Sequence, residues 1–260
     1  MNVVITGSNG TVGTILSEYL AEKKVVVIPW DRGSVPIDNY YAMEEFLRSS
    51  KPEVLFHLAI ASRQTGRENE SWLVNYEWTS ELAWITRILN IKFIFTSTVI
   101  VFSENNQGPF TLESTPDATE GYGFEKRKAE ERVFYQNPQA TVARLGWQIG
   151  DTSGSNNMID YLEKQIEEKG EIRASCKWYP ACSFLRDTVS ALWNLFEYDP
   201  GLYMIDSNRK WNYYEICCAL KDQHEKKWSI VPTDDFVYDQ RMLDTRLHVP
   251  SLKKRLPTLT

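Results

Sequence analysis

Long apolar runs are missing from this 260-residue chain: none approaches the roughly 18 residues needed to cross a bilayer. The opening MNVVITGSNG has neither the basic start nor the apolar stretch of a secretion signal. There is no Lys/Arg tract, and 35 acidic side chains outnumber 29 basic ones, so a nucleic-acid partner is not expected. Histidine is scarce, and its three copies have no ligand partner at helical spacing, which leaves no expected metal site. The four cysteines, Cys176, Cys182, Cys217 and Cys218, lack zinc-ligand spacing, and two of them are adjacent, which argues against a disulfide scaffold. No Ser/Gly-rich linker, low-complexity tract or internal repeat divides the chain. These absences predict a cytoplasmic, reduced protein with no membrane partner, built on one main core.

What is present is an alternation of short apolar runs and amphipathic stretches. Asn2–Thr6 reads as a buried strand, followed by a glycine turn and a helix from Thr11 to about Ala21. Val25–Trp30 is too apolar for a half-exposed strand and suits a buried parallel one. A helix is predicted over Tyr40–Ser50, with Pro52 closing it before the strand Val54–Leu58. Ser71–Asn90 is the longest predicted helix, Ile91–Ser97 the fourth strand, Tyr122–Gln136 a charged helix and Thr141–Gly146 the fifth strand. This order predicts βαβ units and an α/β fold, a Rossmann-type doubly wound parallel sheet. Beyond residue 147 the pattern loosens, with helices expected at Asn157–Lys169, Asp187–Tyr198 and Trp211–Lys221 and short strands near Glu171–Ala174 and Leu202–Ile205. The expected organisation is a core over residues 1–150 and a smaller mixed substrate-facing lobe over 151–260, some late elements packing back on the core.

The turn Gly7-Ser8-Asn9-Gly10-Thr11-Val12-Gly13 comes directly after the first strand and opens the first helix. Glycines there permit a tight turn and close approach of the backbone to a pyrophosphate, and the helix start offers unpaired N–H groups to it. The spacing is GxxGxxG rather than GxGxxG. Asp31, about 20 residues on at the end of the second strand, is placed to accept ribose hydroxyls of NAD(P)H. Its carboxylate would repel a 2′-phosphate and so favours NAD over NADP, whereas the Arg32 guanidinium could hold that phosphate, which leaves dual use open.

Tyr122 and Lys126 lie at i and i+4 on one helix face, a spacing that suits proton donation to a carbonyl, with the ammonium expected to draw the tyrosine pKa down. Thr98, predicted at the carboxyl end of the fourth strand, would face the same crevice and hydrogen-bond the same oxygen. His57 is expected to be a satisfied core histidine. The run Glu125–Arg132 is expected to be a solvated face, and Asp38-Asn39 to cap the following helix.

With these residues in view, the sequence resembles the extended short-chain dehydrogenase/reductase superfamily and, within it, the dTDP-4-dehydrorhamnose reductase family. The resemblance runs through GSNGTVG, Lys51-Pro52-Glu53-Val54, Asn75, Ser97-Thr98-Val99-Ile100-Val101-Phe102, the YGFEK helix and Ala143-Arg144-Leu145-Gly146-Trp147. It continues to Arg186-Asp187-Thr188-Val189 and Arg241-Met242-Leu243-Asp244-Thr245. It implies reduction of a 4-keto-6-deoxy sugar on a nucleoside diphosphate, with Thr98, Tyr122 and Lys126 as the catalytic set. Gly7, Asn9, Gly10, Thr11, Val12, Gly13, Asp31, Arg32, Ala59 and Lys126 would lie on the cofactor. Trp147 would pack on the sugar, and Asn156 or Asn157 would contact sugar or phosphate.

The sequence departs from the family where Asp-Tyr would follow the threonine and Val99-Ile100 stands instead. It departs again at Lys177-Trp178-Tyr179-Pro180-Ala181-Cys182-Ser183, which replaces an Asp-Gln-Phe-Gly-x-Pro-Thr stretch. Val99-Ile100 supplies neither the acid and base of a 4,6-dehydratase nor the cysteine of a fucose-synthase-type epimerase. A non-catalytic regulatory subunit of the same fold and a sugar-nucleotide epimerase stand as the alternative readings. A homodimer is expected through the helices Ser71–Asn90 and Tyr122–Gln136, because Leu73, Trp78 and Trp84 point away from the face expected to meet the sheet.

Overall fold

The computed structural model describes residues 1–62, 66–151 and 155–260. In chain order the elements are β1 (Asn2–Thr6), α1 (Thr11–Glu22), β2 (Val26–Pro29), α2 (Tyr40–Ser50), β3 (Val54–His57), α3 (Glu70–Trp72), a π-helical segment (Leu73–Glu77), α4 (Trp78–Ile88) and β4 (Lys92–Thr98). Next come α5 (Gly121–Gln136), β5 (Thr141–Leu145), β6 (Trp147–Ile149), α6 (Met158–Lys169), β7 (Ile172–Ser175), β8 (Trp178–Tyr179), β9 (Cys182–Phe184) and α7 (Leu185–Asn194). The chain ends through β10 (Gly201–Ile205), α8 (Tyr213–Gln223), β11 (Ile230–Thr233) and β12 (Tyr238–Asp239). The main sheet has the order β10-β5-β4-β3-β1-β2. Within it β1 pairs in parallel with β2 and with β3, and β3 in parallel with β4. The expected α/β fold with a parallel sheet is the observed one.

The chain divides into two units interleaved in sequence. One comprises Met1–Ser103, Thr115–Arg144 and Val189–Tyr203, and the other Glu104–Ser114, Leu145–Thr188 and Met204–Thr260. The first carries most of the main sheet. Its core joins Val4, Leu55, Phe93 and Phe95 of the strands to Met43, Leu47, Leu82 and Ile85 of the helices. Asn39 caps α2 as expected, its side-chain oxygen accepting from Ala42 N at 3.1 Å.

In the second unit, short strands pair in parallel as β6 with β9, β7 with β11 and β8 with β12, and most of these were not legible as strands. Two- and three-residue strands carry too few residues to show a period. The buried Asp206 pins three segments of this unit. Its Oδ1 accepts from Cys182 N (3.0 Å) and Asn208 N (2.8 Å), and its Oδ2 from Met242 N (2.8 Å).

Four expectations about the first unit are corrected. β2 is the edge strand of the sheet, with Val26 54 % exposed, so its β-branched run marks strand propensity rather than burial. The helix expected over Ser71–Asn90 is continuous but changes to π-type hydrogen bonding over Leu73–Glu77. The extra residue in that turn rotates the downstream helix, and Trp78 goes into the core against Trp30 and His57 instead of outward. That removes Trp78 from the apolar surface offered to a second copy. The charged run on α5 is not all solvated: Lys126 and Glu130 are buried, Glu130 in a two-bond pair with the buried Arg144 of β5 (Nε–Oε1 3.0 Å, NH2–Oε2 2.7 Å).

This buried pair generates a stability prediction. Glu130→Ala leaves the Arg144 guanidinium buried without its carboxylate and should cost about 3–5 kcal/mol in chemical denaturation. The double change Glu130→Leu with Arg144→Met should recover most of that loss. A single variant as stable as the parent would show that the pair does not hold β5 to α5.

Candidate active site

β1 to β4 run in parallel, so the segments at their carboxyl ends lie along one edge of the sheet. The glycine turn follows β1, Asp31 follows β2, Ala59 follows β3, and Thr98 ends β4. Gly7 has φ +69°, the left-handed region, and a Cβ there would stand 2.9 Å from the Ala59 backbone. A Cβ on Gly13 would fall 2.1 Å from the Gly7 carbonyl oxygen, so the first turn of α1 lies directly on the strand end. Gly10 is the N-cap of α1 and brings no side chain to its first turn, which carries no acidic residue. An uncapped helix start cradled by glycines fits a diphosphate. Asn9, Thr11 and Val12 belong to the same turn, Asn9 at the surface and the other two half-buried. Asp31 and Arg32 are exposed. Asp31 accepts from Ser34 Oγ at 2.6 Å and Gly33 N at 2.9 Å, and these bonds hold its carboxyl below the usual carboxylate range.

Thr98 is buried, and its Oγ1 accepts from Ile100 N at 3.2 Å, capping a single 3-10 turn over Val99–Val101. α5 packs tightly on that turn, and a Cβ on Gly123 would stand 2.2 Å from the Ile100 carbonyl oxygen. The glycine after Tyr122 is therefore what lets the helix approach the end of β4. Tyr122 is half-buried, and the Lys126 Nζ lies 6.0 Å from its ring centroid and 4.0 Å from that of Phe95.

The electrostatics correct one expectation. Burial lowers Lys126 to about 7 against the opposing pull of Glu130 and Glu125. Tyr122 is not drawn down by its lysine; burial, with the charge of Glu125, pushes its pKa up. The phenol is therefore protonated throughout the neutral range.

Behind this pair runs a determined chain of hydrogen bonds. Thr6 Oγ1 accepts from Leu58 N (3.1 Å) and Ala59 N (3.2 Å), so its own proton goes to His57 Nδ1 at 2.7 Å. His57 must then carry its proton on Nε2, which donates to Thr79 Oγ1 at 2.9 Å, and Thr79 donates to the Asn75 carbonyl at 3.0 Å. Burial and the nearby Lys126 hold the imidazole well below its usual pKa, so it stays neutral. His57 is the satisfied core histidine the sequence suggested.

Asn75, Ser71 and Glu125 form a cluster that sequence reasoning did not assign to the site. Asn75 sits in the π-helical segment, and its Nδ2 donates to Glu125 Oε2 at 2.7 Å. The available signal was Glu125 itself, an acid three residues after Tyr122 and next to Lys126.

In the second unit Trp147 starts β6, half-buried, its ring stacked on Trp178 and on Tyr213, both at 6.0 Å, with Tyr161 edge-on at 5.2 Å. Asn157 is buried and serves as the N-cap of α6, accepting from Ile159 N (2.9 Å) and Asp160 N (3.3 Å). Asn156 is exposed, at φ +54°.

The spore coat polysaccharide biosynthesis protein SpsK of Bacillus subtilis is 22 % identical over 239 residues, 90 % of this chain and 84 % of that one. A dTDP-4-dehydrorhamnose reductase of Mycolicibacterium smegmatis is 23 % identical over 206 residues, 77 % of this chain and 62 % of that one. The fold matches the crystal structure of dTDP-4-dehydrorhamnose reductase from Bacillus anthracis in complex with NADP, at TM-score 0.83 and 19 % identity over 99 % of this chain and 98 % of that one. The sequence model of the family described as RmlD substrate binding domain matches residues 1–234, and the chain belongs to that family, within the extended short-chain dehydrogenase/reductase superfamily.

Proposed function

We propose that this protein reduces the keto group of a nucleotide-linked deoxysugar of the 4-keto-6-deoxyhexose type. The observation that carries the reading is the grouping of Tyr122 and Lys126 on one face of α5, packed against the turn after Thr98 at the sheet edge bearing the glycine cradle. Membership of the RmlD substrate binding domain family and the names of the relatives favour the same substrate class. A reduced nicotinamide dinucleotide, when bound, supplies the hydride. Gly7, Asn9, Gly10, Thr11, Val12 and Gly13 would hold its diphosphate, Asp31 and Arg32 its adenosine ribose, and Ala59 and Lys126 its nicotinamide half.

The chain's own residues do the rest. Tyr122, protonated at neutral pH, donates its phenolic proton to the keto oxygen, and the Thr98 hydroxyl hydrogen-bonds the same oxygen as charge builds there. Lys126, on the same helix face, stabilises the tyrosinate that remains. In the second unit Trp147 keeps a half-buried ring, whereas the Asn157 side chain is committed to capping α6. The exposed Trp84, Ile88 and Tyr135 of α4 and α5 are the apolar anchors available for a homodimer.

Tyr122→Phe should lower turnover of a 4-keto sugar nucleotide by roughly a hundredfold or more, with dinucleotide affinity nearly unchanged. Steady-state kinetics beside calorimetric titration of the dinucleotide checks both halves, and an unchanged rate would refute the reading.

The cofactor is NAD(P), and a fixed charge on Asp31 points to NAD. Asp31→Asn should shift the ratio of NADP to NAD efficiency upward by about tenfold, because it removes the carboxylate that would repel a 2′-phosphate. Equal efficiencies in parent and variant would remove Asp31 from the choice.

Lys126 generates a stability prediction. Its folded pKa, about 7, lies below the unfolded value of about 10.4. Above the unfolded value neither state holds the proton. As pH falls toward 7 only the unfolded chain gains it, so the penalty on folding grows and is full below 7. Lys126→Met should therefore raise the melting temperature by several degrees at pH 7, a gain that shrinks toward pH 10, while activity falls. A variant that melts lower at pH 7 would contradict this.

A further inference from the structure

Glu125 stands one residue before Lys126 and three after Tyr122, so it shares the α5 turn that presents both. Its Oε2 accepts two hydrogen bonds, from Asn75 Nδ2 at 2.7 Å and from Ser71 Oγ at 2.7 Å. These donors are themselves fixed. Asn75 Nδ2 also donates to Ser71 Oγ at 3.2 Å, and Asn75 Oδ1 accepts from Ala61 N at 3.3 Å. The side chains close a triangle with one consistent assignment of donors, anchored at Asn75, which is buried in the π-helical segment. A surface glutamate would swing freely and be screened by water. This one is held in a single place.

We propose that Glu125 is a positioning residue whose clamped carboxylate keeps a negative charge against the Tyr122–Lys126 face and so maintains the phenol as a proton donor. The inference rests on the ketoreductase reading for its consequence, but the charge effect itself is a property of the free chain. A carboxylate near a phenol disfavours tyrosinate, and near an ammonium it favours the charged amine. Both effects act in the direction that reduction needs: a protonated Tyr122 and a cationic Lys126. The shifts found for the two side chains include this contribution, with burial as the larger cause in each.

The other groups that face the pair do not replace Glu125. His57 of β3 is neutral. Glu130, on the next turn of α5, is paired with Arg144 of β5 and also raises Lys126, more strongly than Glu125 does, but it has no effect on Tyr122. From β4 the neighbour is the Phe95 ring, and the π-helical segment contributes the uncharged Asn75. Among the described residues, Glu125 and Glu130 are the acids that act on Lys126, and of these Glu125 alone also acts on Tyr122.

Glu125→Gln separates charge from shape, because both hydrogen bonds go to one oxygen and an amide oxygen can accept both. The full-length variant should keep its rate of keto reduction at low pH within about threefold of the parent. The alkaline limb of its pH–rate profile should move down by roughly one pH unit. In the free protein, the Lys126 amine, followed by NMR of labelled lysine and identified with Lys126→Met, should titrate at lower pH than in the parent. Glu125→Asp, which restores the charge, should return the limb toward the parent position, and Glu125→Ser serves as a second charge-removing variant should the glutamine form fold poorly. A rate lowered equally at every pH, or an unmoved Lys126 titration, would overturn the proposal and leave Glu125 a structural side chain. If Tyr122→Phe keeps full activity, the ketoreductase reading fails, yet the Lys126 titration still reports on Glu125.

Discussion

A cationic side chain with almost no contact with water is the constraint around which the first unit is arranged. Lys126 is 1 % exposed, and taking its charge out of water is costly enough to bring its pKa to about 7. The surroundings answer that cost piece by piece. The Phe95 ring presents its face to the ammonium, Glu125 and Glu130 supply opposing charge, and His57 is kept neutral by a hydrogen-bond chain with a single consistent assignment of protons. Glu130 is itself tied to Arg144, so the strand β5 and the helix α5 are joined through the same electrostatic arrangement that holds the lysine. A hydrophobic residue at 126 would suit this interior better as packing. A buried charge of this kind marks Lys126 as a candidate functional residue rather than a core one.

How much of this was legible in the sequence depended on the range of the interaction involved. β1, α1, α2 and α5 come from local pattern, capping and glycine placement, and their boundaries lie within a residue or so of the expected ones. The positions of the glycine turn and Thr98 follow from strand order, which brings them to the carboxyl ends of parallel strands, and those of Tyr122 and Lys126 from their i, i+4 spacing on α5. The errors came where a distant partner decided the outcome. Glu130 reads as a surface charge until Arg144, on the following strand, is brought beside it. Val26 and Val27 read as core until the sheet ends at β2 with no strand beyond. Lys126 itself was expected to depress its tyrosine, but burial and the charge of Glu125 push the phenol the other way.

The second unit is held differently, by pinning rather than by long regular elements. Its strands are short and paired two by two, and Asp206 gathers the backbone of three separate segments on one carboxylate. A peptide N–H buried in such a unit has to find an acceptor, and a single acidic side chain serving three of them does what a longer strand does in the first unit. Trp147, Trp178, Tyr161 and Tyr213 then form a wall of stacked and edge-on rings. Trp178 brings bulk and rigidity to this wall, its ring packed on Trp147, Tyr213 and Phe236.

The π turn at Leu73–Glu77 lets one continuous helical rod satisfy two demands that differ in angle. Toward its amino end, Ser71 and Asn75 must meet α5 at Glu125. Toward its carboxyl end, Trp78, Leu82 and Ile85 must meet the sheet. An α-helix advances about 100° per residue, so a regular helix of this length would have its two ends phased by residue count alone. The additional residue works as a phase shifter between them. Removing one residue from the turn would restore regular hydrogen bonding along the rod and, by the same step, turn one end by about 100° relative to the other. Either the aromatic and aliphatic side chains would leave the core or the carboxamide would leave the acid. The irregularity therefore makes the distance between a packing surface and a functional surface, counted in residues along the chain, as fixed as any side chain in the site.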